Sequence, residues 1–204
     1  MKKSTRIGIL LAIVVVAVIA GMAQWLVIRN DDITQNANGL VTSVEIGGPF
    51  SLTDHTGRQV TEKDYLGNFT LVFFGYTFCP DICPTELGDI ALALDELGDL
   101  SLAVTPVMIS IDPERDTPPV LAEYVSLFHE RLVGLTGTAE QIKDVADAYR
   151  IFFRRVDDPD YSYYLMDHTS FVYLLNPEGD VVSLLRYGTP PEEMASLIRR
   201  QLRS

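Results

Sequence analysis

Hydrophobic positions are distributed along the chain in three distinct ways. The first is an uninterrupted run of 22 residues from Ile7 to Ile28 without a charge. At 1.5 Å per residue it is long enough to cross a hydrocarbon core of about 30 Å. The second is the polar, aperiodic stretch 29–46, the pattern of a tether. The third begins near Pro49, where strand-length apolar runs alternate with helical spacing. "PFSLTDHTGRQV" predicts two short strands around the turn residues Asp54 to Gly57. "TLVFFGY" has no polar alternation until Thr77, as in a strand buried on both faces. "PTELGDIALALDELG" sets Leu87, Ile90, Ala91, Leu94 and Leu97 at helical spacing and stops at Gly98. "LAVTPVMISI" predicts a second buried strand, in which Pro106 needs a bulge or a position free of a partner.

Beyond it, "DTPPVLAEYVSLF" opens like a helix, with Asp116 or Thr117 as cap and proline just inside. "LVGLTG" predicts a short strand, and "TAEQIKDVADAYRIFF" a helix whose Thr138 and Gln141 form a capping box. "HTSFVYLLNPEGDVVSLLRYG" predicts a hairpin about Asn176 to Gly179, and "PPEEMASLIRRQL" a closing helix with basic residues at its favourable end. A hairpin, then βαβαβα, then a hairpin and a helix gives an α/β fold. The layout is thioredoxin-like: a central mixed sheet flanked by helices, with an added N-terminal β-hairpin and one N-terminal transmembrane helix ahead of it. The expected division is 1–6 cytoplasmic, 7–28 anchor, 29–46 linker and 47–204 folded domain.

Charge refines the picture. Lys2, Lys3 and Arg6 precede the apolar run, so that flank stays in the cytoplasm and the rest is exported. A cleaved signal peptide is the competing reading, since Gly21 and Ala23 are small enough for a cleavage site. The length of the run and Trp25 near its far end favour an uncleaved anchor in the inner membrane, with the domain facing the periplasm. Four of the 16 Lys and Arg residues lie in the first 29 positions, so 12 face all 28 Asp and Glu in the remainder. Such a negative field excludes nucleic acid as a partner and suits a well-solvated exported surface.

The two cysteines, Cys79 and Cys83, form a Cys-x3-Cys pair between Pro80 and Pro84. A staple, a redox couple and half of a metal site are all open. Closing so short a loop restrains the unfolded chain far less than the 15-residue loop that yields about 3 kcal/mol, which weakens the staple. Position favours chemistry, because Cys79 follows a buried parallel strand and Cys83 precedes a helix expected to begin at Pro84. Ligands bind at that edge of open α/β sheets, and a helix N-terminus favours a thiolate. Two thiolates on a fixed turn suit a soft ion such as Cu(I), but a third ligand is missing.

Three histidines can be weighed singly. His55 reads as a solvated turn residue and His129 as a helix-end residue, whereas His168 opens the strand "HTSFVYLL". A strand antiparallel to the others starts where they finish, which brings His168 to the rim of Cys79 and Cys83. It is a ligand, a proton carrier or a structural residue on that ground alone. Asp112 and Arg115 follow the second buried strand and fall on the same rim, as outer-layer or docking candidates. Asp116 and Thr117 fit a cap equally well, and Met108 and Met166 read as core.

"GYTFCPDICPTEL", "SIDPERDTP" and "DHTSFVYLLNPEG" together resemble the Sco/SenC family of copper-handling proteins, over the chain from about Pro49 to the end. The resemblance implies a membrane-anchored metallochaperone that assists assembly of the dinuclear copper centre of cytochrome c oxidase. It implies one copper per domain, Cu(I) or Cu(II), on Cys79, Cys83 and His168, and a Cys79–Cys83 pair that also forms a disulfide. The implied partners are the copper-accepting oxidase subunit, a periplasmic thiol reductant and an upstream copper donor. The rival is an exported thiol-disulfide oxidoreductase acting on the oxidase subunit or another protein. A peroxiredoxin is disfavoured by Gly75 and Tyr76 where that family has proline and threonine, and a glutathione-peroxidase tetrad by Trp25 being the only tryptophan.

Overall fold

The computed structural model describes residues 46–157 and 163–203. β1 (Ser51–Asp54) and β2 (Gln59–Thr61) pair antiparallel, and the Asp54 carboxylate closes their turn by accepting the Thr56 and Arg58 N–H groups at 2.9 Å each. A short 3-10 turn leads into β3 (Phe69–Gly75), followed by α1 (Ile82–Leu97), β4 (Val104–Ser110), α2 (Pro118–Ser126), β5 (Val133–Thr136) and α3 (Ala139–Ala148). The chain continues through β6 (Phe153–Val156), β7 (Leu165–His168), β8 (Phe171–Leu175), β9 (Val181–Arg186) and α4 (Pro191–Gln201).

One sheet runs in the order β2-β1-β5-β4-β3-β8-β9, with β3, β4 and β5 parallel and the outer pairings antiparallel. Helices flank it, α1 packed against α4, α2 on β5 and α3 beside β1, in the thioredoxin-like layout read from the sequence. The uniformly apolar runs are the buried central strands: Leu71, Phe73, Phe74, Met108 and Ile109 are fully enclosed. On α1 the helically spaced Leu87, Ile90, Leu94 and Leu97 face this core. Pro106 sits in unbroken register opposite Leu71, yet the β5 ladder joins β4 only from Val107 onward. That flank of β4 is therefore unpartnered where the proline lacks its N–H.

The second half departs from expectation in one respect. β6 and β7 form a separate two-stranded ribbon, pairing Phe153 with His168 and Val156 with Leu165. The helix expected to run to Phe153 stops at Ala148, because Arg150 turns into the left-handed region at φ 59°. His168 accordingly ends the ribbon strand β7 and does not open the main-sheet strand, which begins at Phe171. Thr169 causes the break: its N–H donates to the Phe152 carbonyl at 3.0 Å, and its Oγ1 accepts the Phe152 N–H at 3.2 Å. Among the described residues no helix is long and apolar enough to cross a membrane. The anchor expected over 7–28, and all of the 29–46 linker but its last residue, lie outside the described residues.

Candidate metal centre

The site is built where β3 runs out. From Gly75 the chain crosses Tyr76 to Asp81 and enters α1 at Ile82, two residues earlier than the proline pattern suggested. Pro84 is tolerated as the third helical residue because the first-turn N–H groups have no intrahelical partner. Cys83 is thus the second residue of the helix, while Cys79 lies in the turn before it, so the turn and the helix start together set the spacing of the two sulfurs. The N-cap residue Asp81 makes no side-chain capping bond. Cys79 Sγ takes that place and accepts the Cys83 N–H at 3.3 Å, at the positive end of the helix dipole. A Cβ on Gly75 would lie 3.0 Å from Cys83 Sγ and 2.7 Å from Phe73 Cε1. Only glycine leaves room for that sulfur against the strand end.

The imidazole of His168 comes from the ribbon. Its Nδ1 lies 3.0 Å from the Thr169 carbonyl oxygen, which can only accept, so Nδ1 carries the proton. The Nε2 lone pair is then free, and Nε2 stands 3.7 Å from Cys83 Sγ. Phe73 and Tyr76 meet the imidazole edge-on, at centroid distances of 6.4 and 6.0 Å. Tyr76 also hooks the ribbon to the cysteine loop, its Oη accepting the Met166 N–H at 3.2 Å. Asp167 turns away into an ion pair with Arg154 at 3.1 Å.

Both thiols are free, Cys79 half-buried and Cys83 fully buried. The hydrogen bond from Cys83 holds the Cys79 thiol well below the ordinary range against the effect of burial, helped by the Asp81 and Cys83 backbone N–H groups. The same bond, with burial and the Cys79 charge, pushes Cys83 up. The pair therefore rests as an accessible thiolate beside an enclosed thiol. Among the described residues no group of three or more His, Cys, Asp and Glu side chains stands as a ready-made metal cage.

Asp112 and Arg115 lie beside this trio without touching a sulfur. Asp112 is buried and receives Arg115 Nε and, at 2.8 Å, Tyr164 Oη. The Arg115 guanidinium stacks on Tyr164 at 3.6 Å and on Phe78 at 4.6 Å, the residue just before Cys79. Thr117 is the N-cap of α2, but Asp116 is no cap. Its carboxylate is wholly enclosed and accepts Thr77 N–H at 3.0 Å, Thr77 Oγ1 at 2.6 Å and Ser110 Oγ at 2.6 Å. It ties the start of the cysteine loop to the end of β4, a role hidden because a cap and a buried acceptor share one sequence signal.

The remaining candidates are accounted for elsewhere. His55 is no free turn residue: its Nδ1 accepts the Gly134 N–H at 3.1 Å and its own N–H returns to the Gly134 carbonyl. His129 Nδ1 accepts the Arg131 N–H at 3.0 Å. Met108 is core and Met166 packs against it. A cavity of about 270 Å³ between Phe50, Tyr65, Val72, Val107, Tyr149 and Leu175 lies toward the opposite strand ends and includes neither cysteine.

The sequence profile of the SCO1/SenC family matches residues 40–203. The human protein named SCO1 homolog, mitochondrial, is 43% identical over 160 residues, 78% of this chain and 53% of that one. The Arabidopsis thaliana SCO1 homolog 1, mitochondrial, is 49% identical over 138 residues, 67% of this chain and 41% of that one. The chain thus spans about half the length of these relatives. The crystal structure of Arabidopsis thaliana ScoI with copper bound superposes with a TM-score of 0.74 at 43% identity, covering 78% of this chain and 98% of the other. Yeast Sco1 with copper bound gives 0.72 at 39% identity, covering 78% and 90%. The chain belongs to the SCO1/SenC family.

Proposed function

We propose that this protein is a copper metallochaperone that carries one copper ion on Cys79, Cys83 and His168. The observation that carries the reading is the convergence of a free imidazole lone pair on two adjacent sulfurs, with Nε2 3.7 Å from Cys83 Sγ. Bonds of about 2.3 Å to sulfur and 2.0 Å to nitrogen, as zinc makes, leave S and N about 3.7 Å apart at roughly 120°. A metal would take the place of the Cys83 proton, which the Cys79 thiolate and burial hold in the copper-free state. Copper-bound structures of similar proteins support copper as the cargo.

In this reading Cu(I) is held by the soft thiolates and Cu(II) requires the nitrogen as well. A half-buried Cys79 leaves the ion reachable by incoming ligands of an acceptor. The acceptor is the copper-accepting subunit of cytochrome c oxidase that the family resemblance implies, and an upstream donor loads the site. Residues 7–28 anchor the chain in the inner membrane, 29–46 tether it, and 47–204 work on the periplasmic side with 1–6 in the cytoplasm. A thiol reductant is required there, since exported cysteines oxidise. A second reading, thiol-disulfide exchange on the oxidase subunit or another exported protein, draws on the half-buried Cys79 thiolate beside an enclosed Cys83.

His168→Ala separates the two. Two thiolates still hold Cu(I) near-linearly, so Cu(I) affinity falls by less than about tenfold while Cu(II) affinity falls by about 100-fold or more and the thiolate charge-transfer band is lost. Affinity titrations of both ions beside the rate of thiol exchange decide the matter. Unchanged Cu(II) binding with slowed exchange would move the assignment to the oxidoreductase.

A further inference from the structure

We propose that Arg115 is a positioning residue that locks the His168 ribbon to the cysteine loop and thereby sets the Cu(II) geometry of the site; this rests on the copper reading above. The ribbon needs such a lock. β6 and β7 have four residues each, pair only with one another and lie outside the main sheet. A two-stranded ribbon is marginal by itself. The placement of His168 relative to Cys79 and Cys83 therefore depends on what ties the ribbon to the body.

Arg115 touches both parts. Its Nε donates to the Asp112 carboxylate, and its Nη1 donates to the Tyr164 carbonyl oxygen at 2.9 Å, one residue before β7 begins. Its guanidinium lies over Tyr164 at 3.6 Å, Phe78 at 4.6 Å and Tyr76 at 5.8 Å. Phe78 precedes Cys79 directly, and Tyr76 is the ring that meets His168 edge-on and holds the Met166 N–H. Asp112 sets the guanidinium plane, because its second oxygen takes Tyr164 Oη at 2.8 Å. Asp112, Arg115 and Tyr164 thus close a ring of contacts between the end of β4 and the entrance of β7. Phe78 and Tyr163 add an edge contact at 6.3 Å between the cysteine loop and the entrance of β7.

The chemistry calls for arginine in particular. Stacking on one face while donating in plane to a carboxylate and a carbonyl needs a flat, forked cation, and a lysine ammonium supplies neither. Cu(I) on two thiolates tolerates a displaced imidazole, whereas Cu(II) does not, so loosening the lock affects the two ions unequally.

The test is a cycle of Arg115→Ala, His168→Ala and the double variant, with Arg115→Lys beside them, read by Cu(II) and Cu(I) affinity and by the Cu(II) absorption and EPR spectra of the purified protein. Arg115→Ala lowers Cu(II) affinity by about 10- to 100-fold, the range for an outer-layer partner of a metal ligand, and alters the spectra, with Cu(I) affinity within about threefold of wild type. The double variant binds Cu(II) no more weakly than His168→Ala alone, because Arg115 acts through His168. Arg115→Lys moves the spectra the same way, and does so even if the alanine variant does not fold. Wild-type affinity and spectra in Arg115→Lys, or an Arg115 effect that adds in full to the loss from His168→Ala, overturn the proposal while leaving the copper site standing. Cu(II) binding that survives His168→Ala removes the ligand assignment, and the positioning role with it.

Discussion

Cys83→Ser removes tight copper binding while the domain keeps its fold. The expected loss of Cu(I) affinity exceeds the roughly 100-fold that follows loss of an outer-layer partner, because a ligand itself is deleted. Cys83 is fully enclosed, hydrogen-bonded to Cys79 and 3.7 Å from Nε2 of His168, so no exposed side chain can take its place. A serine hydroxyl is a hard donor that holds its proton near neutrality and does not attract Cu(I). Its smaller oxygen sits in the space left by Gly75 without a clash, at a cost of about 1–3 kcal/mol for a buried hydroxyl. Competition against a chelator of known Cu(I) affinity checks this. A serine variant within tenfold of wild type would mean that Cys83 is no ligand.

Asp116→Ala is the change with the largest expected effect on the fold outside the cysteines. The carboxylate has no exposed surface and satisfies the Thr77 N–H, the Thr77 hydroxyl and the Ser110 hydroxyl. Burial raises its proton affinity while the Ser110 and Thr77 bonds work against that rise. Alanine leaves the Thr77 N–H stranded and opens a gap below the cysteine loop. Each orphaned buried group costs about 1–3 kcal/mol, so a loss of about 3 kcal/mol or more is expected. That is a large share of the 5–15 kcal/mol that typical domains possess. Asp116→Asn retains the shape and one acceptor and loses less. Urea unfolding with an unchanged slope measures both; an alanine variant within about 0.5 kcal/mol of wild type would show that the carboxylate is not what holds the loop.

What could be read in advance follows from how each element is stabilised. β3 and β4 are buried on both faces, so their apolar runs are uninterrupted, and α1 shows its inner face at helical spacing. Those elements set Cys79 and Cys83 at the strand end and helix start. The ribbon was hidden for the converse reason. "FRRV" and "LMDH" have no fully buried position, and they pair across eight intervening residues where nothing local predicts a partner. The helix before them ends at a left-handed Arg150, without the glycine that usually marks such an ending. His168 therefore stands at the expected rim but reaches it from β7, not from the main-sheet strand. Pro84 misled by one half-turn, because proline marks a helix start without saying which of the first positions it occupies. Asp116 and the Arg115 lock depend on contacts between segments distant in the chain, Thr77 with Asp116 and Tyr164 with Arg115, which no local pattern encodes.

Copper stoichiometry of the wild-type protein in its two thiol states tests whether the ion sits on the reduced cysteine pair. Reduced protein, with both thiols free as in this structure, should bind one copper ion per chain. After oxidation of Cys79 and Cys83 to a disulfide, no thiolate remains to displace a proton or coordinate the ion, and binding should fall to near zero. Re-reduction should restore it in full. Equal copper binding in the reduced and oxidised forms would contradict the account and place any copper site away from the cysteines.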